Sequence, residues 1–367
     1  MARRIIISVT NDLGNDQRVH RVARTLQEMG FEVLLVGRQR RQSKPLDERP
    51  YPTKRIRFLF ESGKMFYIAY AFRMFWWLLF QKVDVLLAND MDTLLPNFLV
   101  AKLRGKKLVY DSHEYWTEVP ELIDRRLTRA VWLWLERRIF PRVDAAYTVN
   151  ESIARIYHQK YRLPVAVVRN LPFARPFPKD LPRKENLLIY QGALNIGRGI
   201  ELMIEAMRYL PGYRLVIAGS GSIEGPLQGL ATARPYRDQI QFTGFVPADA
   251  LRELTLQAKL GMSLEADRGE SYRLALPNKL FDYIQAGVPV LVSDLPEMAA
   301  VVLEYKVGEM LKIQDRQPEL LAARIRSICE NVDNYVEYSA SCQQAAKVLT
   351  WENERERLVA VFDPFVS

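Results

Sequence analysis

Short apolar runs alternate with helix-length stretches along the whole chain. In the first half these runs are Ile5–Thr10, Phe31–Val36, Val83–Ala88, Lys107–Tyr110 and Ala145–Val149. The runs are continuous and do not alternate with polar residues, which is typical of strands in a parallel sheet that is covered on both faces. Between the first two, Gln17–Met29 has the apolar spacing of a helix, and Gly30 is placed to end it.

The second half repeats this pattern. Its predicted strands are Leu187–Tyr190, Leu215–Ala218, Ile240–Phe242, Leu260–Leu264 and Val290–Val292. Helical stretches such as Ile200–Leu210 and Lys279–Ala286 separate them. A chain of 367 residues also exceeds the length of one domain, which is about 150 residues. The pattern therefore predicts an α/β protein with two Rossmann-like, doubly wound parallel-sheet domains.

A proline-rich segment separates the two halves. Pro172, Pro176, Pro178 and Pro182 lie close together, and proline at this density continues neither a helix nor a central strand. We place domains at residues 1–169 and 186–350, joined by a linker at 170–185. Ligands of doubly wound sheets bind beyond the carboxyl ends of the strands, so we expect the active site in a cleft between the domains.

Composition narrows the class of protein. Hydrophobic residues make up 49% of the chain and charged residues 26%, which is ordinary for a globular protein. The two cysteines, Cys329 and Cys342, form no CxxC pair, so we expect neither a disulfide scaffold nor a thiolate metal site. The apolar run Met65–Phe80 contains Arg73 and is shorter than the roughly 20 residues of a bilayer span. We therefore expect a cytoplasmic protein without a transmembrane helix.

The net charge of +9 favours nucleic acid, an anionic membrane or a phosphorylated ligand as a partner. The segment Ile123–Arg142 interleaves arginines with Trp132, Trp134, Leu135 and Ile139. An amphipathic helix of this kind can lie on an anionic bilayer, here at the inner face of the membrane, and the alternative is a domain helix with a basic outer face. The remaining arginines are spread over helices without a recognised nucleic-acid-binding motif, so no nucleic-acid partner is expected.

Polar residues follow several strands of the first half. The loop after the first strand contains Gly14, which allows close backbone approach to a ligand, and Asp16, which is placed to cap the next helix. His113 lies between Asp111 and Glu114 after another strand. An imidazole beside carboxylates can orient a hydroxyl, accept a proton or hold positive charge, although a structural histidine is the alternative. We interpret Asp90 and Asp92 as a loop and a helix cap and expect no metal site.

Two glycine-containing loops of the second half suggest different interpretations. A strand–helix loop that carries Arg198 also contains Gly192, Gly197 and Gly199, which give its backbone conformational freedom. This loop is a plausible phosphate cradle. Gly219 and Gly221 begin a GxGxxG pattern, but Glu224 stands where its third glycine would be. Nicotinamide binding is therefore not expected.

The segment Ser263–Pro296 is the richest in candidate chemistry. Pro277 suits the first turn of a helix, which places Lys279 in that turn and Asp282 one turn further along the same face. A lysine at a helix start suits a diphosphate, and a carboxylate one turn on suits a ribose diol. The alternative is an ion pair on a solvated helix. Asn278, Gly192 and Glu270 complete the set of candidate donor-binding residues.

In these motifs the chain resembles the GT-B glycosyltransferases of the GT4-like group, and the similarity runs nearly from end to end. The resemblance includes the Gly14 loop, VVRN before the linker, the GRG loop, the AGSG turn and FDYIQAGVPV. It implies that Asp282 binds the nucleotide ribose, that Arg198 and Lys279 bind the diphosphate, and that His113 faces the transferred sugar. It also implies retention of the anomeric configuration, and a terminal helix at 351–367 that crosses back to the first domain near Trp351.

The chain departs from the pattern of this family at two positions. Leu274 stands where the family has its first glutamate, eight residues before Asp282, and Glu270 is out of register. Ala193 stands where an arginine often follows the first strand of the second domain. These departures predict a subgroup with its own sugar or acceptor.

The sequence thus predicts a glycosyltransferase that uses a UDP- or GDP-sugar as substrate, with no cofactor. Arg198, Lys279 and the backbone near Gly14 would stabilise the leaving diphosphate without a metal. The acceptor would be a saccharide or a lipid-linked precursor of a polysaccharide. One alternative is a nucleotide-sugar epimerase on the same fold, which needs a second carboxylate in the cleft. The other is a basic nucleic-acid-binding protein.

Overall fold

Seven parallel strands form the sheet of the first structural unit. Their order across the sheet is β3-β2-β1-β4-β5-β6-β7, and every neighbouring pair is parallel. The strands are β1 (Arg4–Ser8), β2 (Glu32–Gln39), β3 (Thr53–Arg57), β4 (Val85–Asn89), β5 (Lys107–Ser112), β6 (Ala145–Thr148) and β7 (Val165–Val167). The order reverses between β1 and β4, and such a switch point opens a crevice at the carboxyl ends of the strands.

Six parallel strands form the sheet of the second unit, in the order β10-β9-β8-β11-β12-β13. This is the doubly wound order found in dinucleotide-binding folds, with its switch point between β8 and β11. The strands are β8 (Leu187–Gln191), β9 (Arg214–Ala218), β10 (Ile240–Gly244), β11 (Leu260–Ser263), β12 (Val290–Ser293) and β13 (Gly308–Leu311).

Helices connect the strands in both units. Those of the first half are Gln17–Glu28, Gly63–Leu79, Met91–Arg104, Arg126–Ile139 and Glu151–Tyr161. Those of the second half are Ile200–Ala206, Glu224–Thr232, Ala248–Gln257, Glu270–Arg273, Asn278–Gln285, Pro296–Tyr305, Pro318–Glu330, Val332–Val348 and Trp351–Phe362. The predicted α/β class, with two doubly wound parallel sheets, is confirmed.

The computed structural model describes residues 2–14, 16–119, 122, 125–177 and 186–366. The chain divides into one unit of residues 1–170 with 354–367 and another of residues 171–353. Half of the predicted linker at 170–185, residues 178–185, lies outside the described residues. Trp351, which is 2% exposed, donates its backbone N–H to the carbonyl of Pro172 within the second unit.

Successive side chains of β8 point to opposite faces of the second sheet, and each face has its own core. Leu188 and Tyr190 belong to one buried cluster, whereas Leu187 and Ile189 belong to another. A strand that is buried on both sides must be apolar at consecutive positions, which explains why the sequence shows runs without alternation.

The two glycines of the AGSG turn have a structural role. A Cβ on Gly219 would lie 1.9 Å from the carbonyl oxygen of Gly192, and one on Gly221 would lie 2.3 Å from that of Leu194. Gly219 also has φ of 144°, which side-chain-bearing residues rarely adopt. These glycines therefore let the loops after β8 and β9 approach each other at the carboxyl edge of the sheet.

All ten predicted strands are present, with ends shifted by one or a few residues, and β3, β7 and β13 were missed. Each missed strand lies at an edge of its sheet. In β3, for example, only Ile56 is buried, between charged and polar neighbours. An edge strand is covered less than a central one, so its sequence carries a weaker apolar signal.

Candidate active site

A buried carboxylate holds the two candidate diphosphate-binding cations of the second unit together. Glu265 is 0% exposed, and its Oε1 accepts a hydrogen bond from Lys279 Nζ at 3.0 Å and an ionic contact from Arg198 Nη1 at 3.4 Å. Its Oε2 accepts a hydrogen bond from Ser263 Oγ at 2.8 Å. The structure therefore joins Arg198 and Lys279, which are far apart in sequence, into one cluster.

Each member of this cluster is placed by the carboxyl edge of the sheet. Glu265 follows β11 by two residues, and Lys279 lies in the first turn of helix Asn278–Gln285. Pro277 is the N-cap of that helix and Asn278 its first residue, one residue before the predicted start at Lys279. Arg198 directly precedes Gly199, the N-cap of helix Ile200–Ala206. Both cations therefore sit where helix N-termini add partial positive charge.

Electrostatics keep Glu265 ionised. Burial raises the pKa of a carboxyl group, but the nearby charges of Lys279 and Arg198 outweigh burial and lower the pKa of Glu265 below its usual value. The two cations also rest on aromatic faces, with Lys279 Nζ 4.1 Å from the ring centre of Tyr190 and the Arg198 guanidinium 4.7 Å from that of Tyr272. These contacts restrict both side chains to one orientation.

Asp282 lies one turn beyond Lys279 and is half-buried. Gln191, the last residue of β8, donates from its side-chain amide to Asp282 Oδ2 at 2.9 Å. Thr255 in turn donates its hydroxyl to the amide oxygen of Gln191 at 2.9 Å, which fixes the orientation of that amide. The carboxylate is thus held in place beside the Lys279 cluster. Gly192 is also close, since a Cβ there would lie 3.4 Å from Cε of Lys279.

The candidate Glu270 stays a prediction. It is exposed at the first position of helix Glu270–Arg273, whereas Glu265, five residues earlier, contacts both cations. Glu265 was not among the site residues predicted from the sequence. A signal was present, since Glu265 lies two residues after a buried strand and His113 lies directly after another. Asn278 is exposed beside Lys279.

The first unit has a second polar cluster at the carboxyl ends of β4 and β5. Asp111, which is 0% exposed, accepts two hydrogen bonds from Arg18, at 2.7 Å from Nη2 and 3.1 Å from Nε. His113 Nε2 lies 3.0 Å from Asp111 Oδ2, and His113 Nδ1 lies 3.2 Å from Asp90 Oδ2. The backbone N–H of His113 also donates to Asp90 Oδ1 at 2.9 Å. The imidazole therefore bridges two carboxylates.

These neighbours determine the charge of His113. Burial lowers the pKa of an imidazole, but Asp90 and Asp111 raise the pKa of His113 well above its usual value. Conversely, Arg18 and His113 overcome the effect of burial and lower the pKa of Asp111. With a carboxylate at each ring nitrogen, the protonated form of His113 is favoured, which suits the predicted role of holding positive charge.

The interpretation of Asp90 as a helix cap is only half right. Asp90 occupies the N-cap position of helix Met91–Arg104, but its side chain makes no capping hydrogen bond and contacts His113 instead. Its φ of 61° is unusual for a residue other than glycine, and such strain is found mainly at functional sites. By contrast, Asp16 caps helix Gln17–Glu28 as predicted, through a hydrogen bond from the N–H of Val19 at 3.0 Å. Gly14 is exposed in the loop just before it.

Comparison with known proteins decides the family. The family model described as Glycosyl transferases group 1 matches residues 174–348, and that described as Glycosyltransferase Family 4 matches residues 14–171. Together these two matches span most of both halves of the chain. The chain belongs to the group 1, GT4-like glycosyltransferases.

Curated and structural relatives agree with this assignment. Chitobiosyldiphosphodolichol beta-mannosyltransferase of Eremothecium gossypii is 25% identical, over 84% of this chain and 75% of that protein. Sucrose-phosphate synthase of Thermosynechococcus elongatus shares the fold with a TM-score of 0.80, at 15% identity and 99% coverage of both chains. Anabaena HepE in complex with UDP-glucose does so with a TM-score of 0.78, at 12% identity, covering 99% of this chain and 100% of that chain.

Asp92 is a further carboxylate of this glycosyltransferase at the same edge of the first sheet. Thr10 donates its hydroxyl to Asp92 Oδ2 at 2.6 Å, whereas the buried Oδ1 has no hydrogen-bond partner among the described residues. Burial and the charge of Asp90 raise the pKa of Asp92 to about 7, although the Thr10 hydrogen bond and His113 oppose this. Arg38 and Tyr70 also interact with it electrostatically. Asp92 is therefore a carboxyl group that the fold keeps partly protonated at neutral pH.

The raised pKa of Asp92 predicts a pH-dependent stability. The native state binds this proton more tightly than the unfolded chain, so the stabilising effect is complete at low pH and is lost as the pH rises through about 7. When the pH rises from about 5 to about 8, the parent should therefore lose about 2 kcal/mol of unfolding free energy that the Asp92→Asn variant does not lose. Urea unfolding at both pH values measures this, with the exposed Asp238→Asn as control. An equal difference from the parent at both pH values would contradict it.

The buried Glu265–Lys279 pair predicts strong coupling between two substitutions. Glu265→Gln leaves Lys279, which is 8% exposed, without its carboxylate partner, and should lower the unfolding free energy by about 3 kcal/mol. In the double variant Glu265→Gln/Lys279→Met neither charge is left alone, so its loss should be well below the sum of the two single losses. Urea unfolding of the parent, both singles and the double measures the coupling. Simple additivity would show that the two side chains do not interact.

Proposed function

We propose that this glycosyltransferase transfers a sugar from a nucleoside diphosphate sugar, such as a UDP- or GDP-sugar, and that its second unit binds the donor. The observation that carries the proposal is the joining of Lys279 and Arg198 by Glu265 at the carboxyl edge of β8 and β11. Ligands of doubly wound sheets bind at this switch point. The structurally similar HepE, which holds UDP-glucose, supports the same choice of donor class.

Charge explains why this cluster suits a diphosphate. Two cations and one buried carboxylate leave an excess of positive charge, which a diphosphate would compensate. During transfer the bond between the anomeric carbon and the phosphate oxygen breaks, and negative charge grows on the leaving diphosphate. Cations that are already fixed in orientation stabilise this charge without rearranging during the reaction. Glu265 and the rings of Tyr190 and Tyr272 supply that fixation.

We assign the ribose of the donor to Asp282. A carboxylate accepts hydrogen bonds from both hydroxyls of a ribose diol. Asp282 lies one helical turn beyond Lys279, and Gln191 and Thr255 hold it in one orientation. Gly192 lies beside Lys279 and lets the backbone approach the donor closely, which a side chain there would hinder.

We further propose that His113 contributes fixed positive charge near the transferred sugar. The imidazolium is held by Asp90 and Asp111, and Asp111 is held by Arg18. The acceptor in this proposal is a saccharide on a lipid-linked or cell-surface polysaccharide precursor. The name of the Eremothecium relative, which specifies a dolichol-linked acceptor for that protein, supports this class. Retention of configuration stays a prediction of the family resemblance.

Substitutions in the cluster test the donor site. Lys279→Ala and Arg198→Ala should each lower the turnover number by about 100- to 1000-fold, because each removes a preorganised contact to the leaving group. Because Lys279 is the partner of the buried Glu265, Lys279→Ala should also melt at a lower temperature than the parent. Lys279→Arg keeps the charge, and the exposed Lys347→Ala is the matched control.

Nucleotide binding separates the roles within the site. UDP, GDP, ADP and CDP are compared by thermal shift, where a ligand at about 100 times its Kd adds about 2.7 kcal/mol of stability. Asp282→Ala should weaken binding of the preferred nucleotide, while Lys347→Ala should not. Parental nucleotide affinity and turnover in folded Arg198→Ala and Asp282→Ala would place the donor site elsewhere. Conversion of the donor to its epimer without transfer would favour the epimerase alternative.

We also propose that transfer is independent of divalent metal, because the cluster itself supplies positive charge to the leaving diphosphate. Turnover in excess EDTA should equal turnover in buffer, and added magnesium or manganese should not raise it. The measurement is donor consumption after the enzyme has been treated with the chelator. Activity that disappears with EDTA and returns with either metal would overturn this proposal.

A further inference from the structure

Helix Gly63–Leu79 of the first unit is apolar on two opposite faces. Phe66, Tyr70, Met74 and Leu78 are buried and pack toward the sheet. The opposite row faces outward and is also apolar: Met65, Ile68, Phe72 and Trp76, followed by Phe80 just beyond the helix. Phe72 is 68% exposed and Phe80 76%. A surface helix of a globular protein normally presents polar residues on its outer face, so this row requires a partner.

The outward row is continuous. The rings of Phe72 and Trp76 lie 6.3 Å apart edge to face, and those of Trp76 and Phe80 are stacked at 6.4 Å. Neighbouring helix Arg126–Ile139 adds Leu127, Val131 and Trp134, which are 83%, 57% and 57% exposed at helical spacing. The contact between the rings of Tyr67 and Trp132, at 5.6 Å, joins the two helices. We call the outward row of helix Gly63–Leu79, together with Phe80, the aromatic face.

The exposed charges of these two helices are positive. No acidic residue occurs between Glu61 and Asp84, whereas Lys64, Arg73 and Lys82 do. In helix Arg126–Ile139 the single acidic residue, Glu136, is fully buried against Lys160. Arg126, Arg137 and Arg138 of the same helix are exposed. A surface complementary to the aromatic face and these cations is therefore apolar and negatively charged.

We propose that the aromatic face docks this protein on an anionic lipid bilayer, with the aromatic and aliphatic side chains in the headgroup–acyl boundary and the cations at the phosphates. Tryptophan and phenylalanine beside lysine and arginine are the side chains that favour this boundary. None of the described helices is long and apolar enough to cross a bilayer. Helix Gly63–Leu79, with 17 residues and Arg73 inside it, is therefore assigned to the surface of the membrane.

The place of membrane contact differs from the one predicted from the sequence, which was the arginine-rich segment 123–142 alone. In the structure helix Arg126–Ile139 contributes exposed cations, whereas helix Gly63–Leu79 presents the longer row of exposed large side chains. The inference does not depend on the donor site, so its failure would leave the proposed transfer reaction untouched.

Vesicle co-sedimentation of the full chain tests the proposal. The protein should sediment with vesicles of phosphatidylcholine and phosphatidylglycerol, and far less with phosphatidylcholine alone. Phe72→Ser and Trp76→Ser should each lower the partition coefficient by about tenfold, from the loss of one buried aromatic side chain. Lys64→Gln and Arg126→Gln should each lower it by about fivefold on the anionic vesicles only. Added salt should weaken binding in the same way.

The matched control replaces two exposed apolar residues of the second unit, Leu303→Ser and Val336→Ser, which should leave vesicle binding unchanged. All substituted side chains are exposed, and parental melting temperatures verify that the variants fold. Two results overturn the proposal: absence of binding to either vesicle, or parental binding by the folded Phe72→Ser/Trp76→Ser variant. Size-exclusion chromatography that shows an oligomer in the parent and a monomer in that variant would assign the face to a second copy instead.

Discussion

The ion pairs of the buried carboxylate of Glu265 are the interaction on which the candidate donor site depends. Two cations from separate loops that contact the same carboxylate would repel each other without it. A buried charge without a partner would also lower the folding stability by several kcal/mol. Glu265 removes both problems, since it is fully buried and contacts both Lys279 and Arg198. The site can thus keep two cations in one place in the absence of a ligand, which is the condition for preorganised stabilisation of a leaving diphosphate.

The first unit also holds cations with carboxylates near the switch point of its sheet. Asp90 follows β4, which pairs with β1, just as Glu265 follows β11, which pairs with β8. In both sheets these strands flank the switch point, where the loops on either side diverge. In the first unit the carboxylates of Asp90 and Asp111 hold the imidazolium of His113 and the guanidinium of Arg18. The two units therefore place paired charges at topologically equivalent edges, with two carboxylates for two cations in the first unit and one carboxylate for two cations in the second.

These clusters require energetically unfavourable features, namely a strained backbone and an altered protonation of nearby groups. Asp90 adopts a positive φ, and Asp92 stays partly protonated at neutral pH because it is buried beside Asp90. Such unfavourable features persist only where the surrounding fold determines them. The aromatic face of helix Gly63–Leu79 is a second departure from the pattern of a soluble domain, and it lies on a helix that flanks the sheet, apart from the residues at the strand ends.

The sequence by itself determined the two α/β sheets, the candidate positions Lys279, Arg198 and Asp282, and the absence of a dinucleotide fingerprint. It could do so because buried parallel strands require continuous apolar runs, and because polar residues that follow such runs must lie at one sheet edge. Only the tertiary structure decided that Glu265 contacts both cations and that Asp90 and Asp111 flank the ring nitrogens of His113. It also decided that helix Gly63–Leu79 exposes a row of large apolar residues opposite its buried face. These properties depend on which side chains of separate helices and strands contact each other. The spacing of residues along one helix or strand does not determine those contacts.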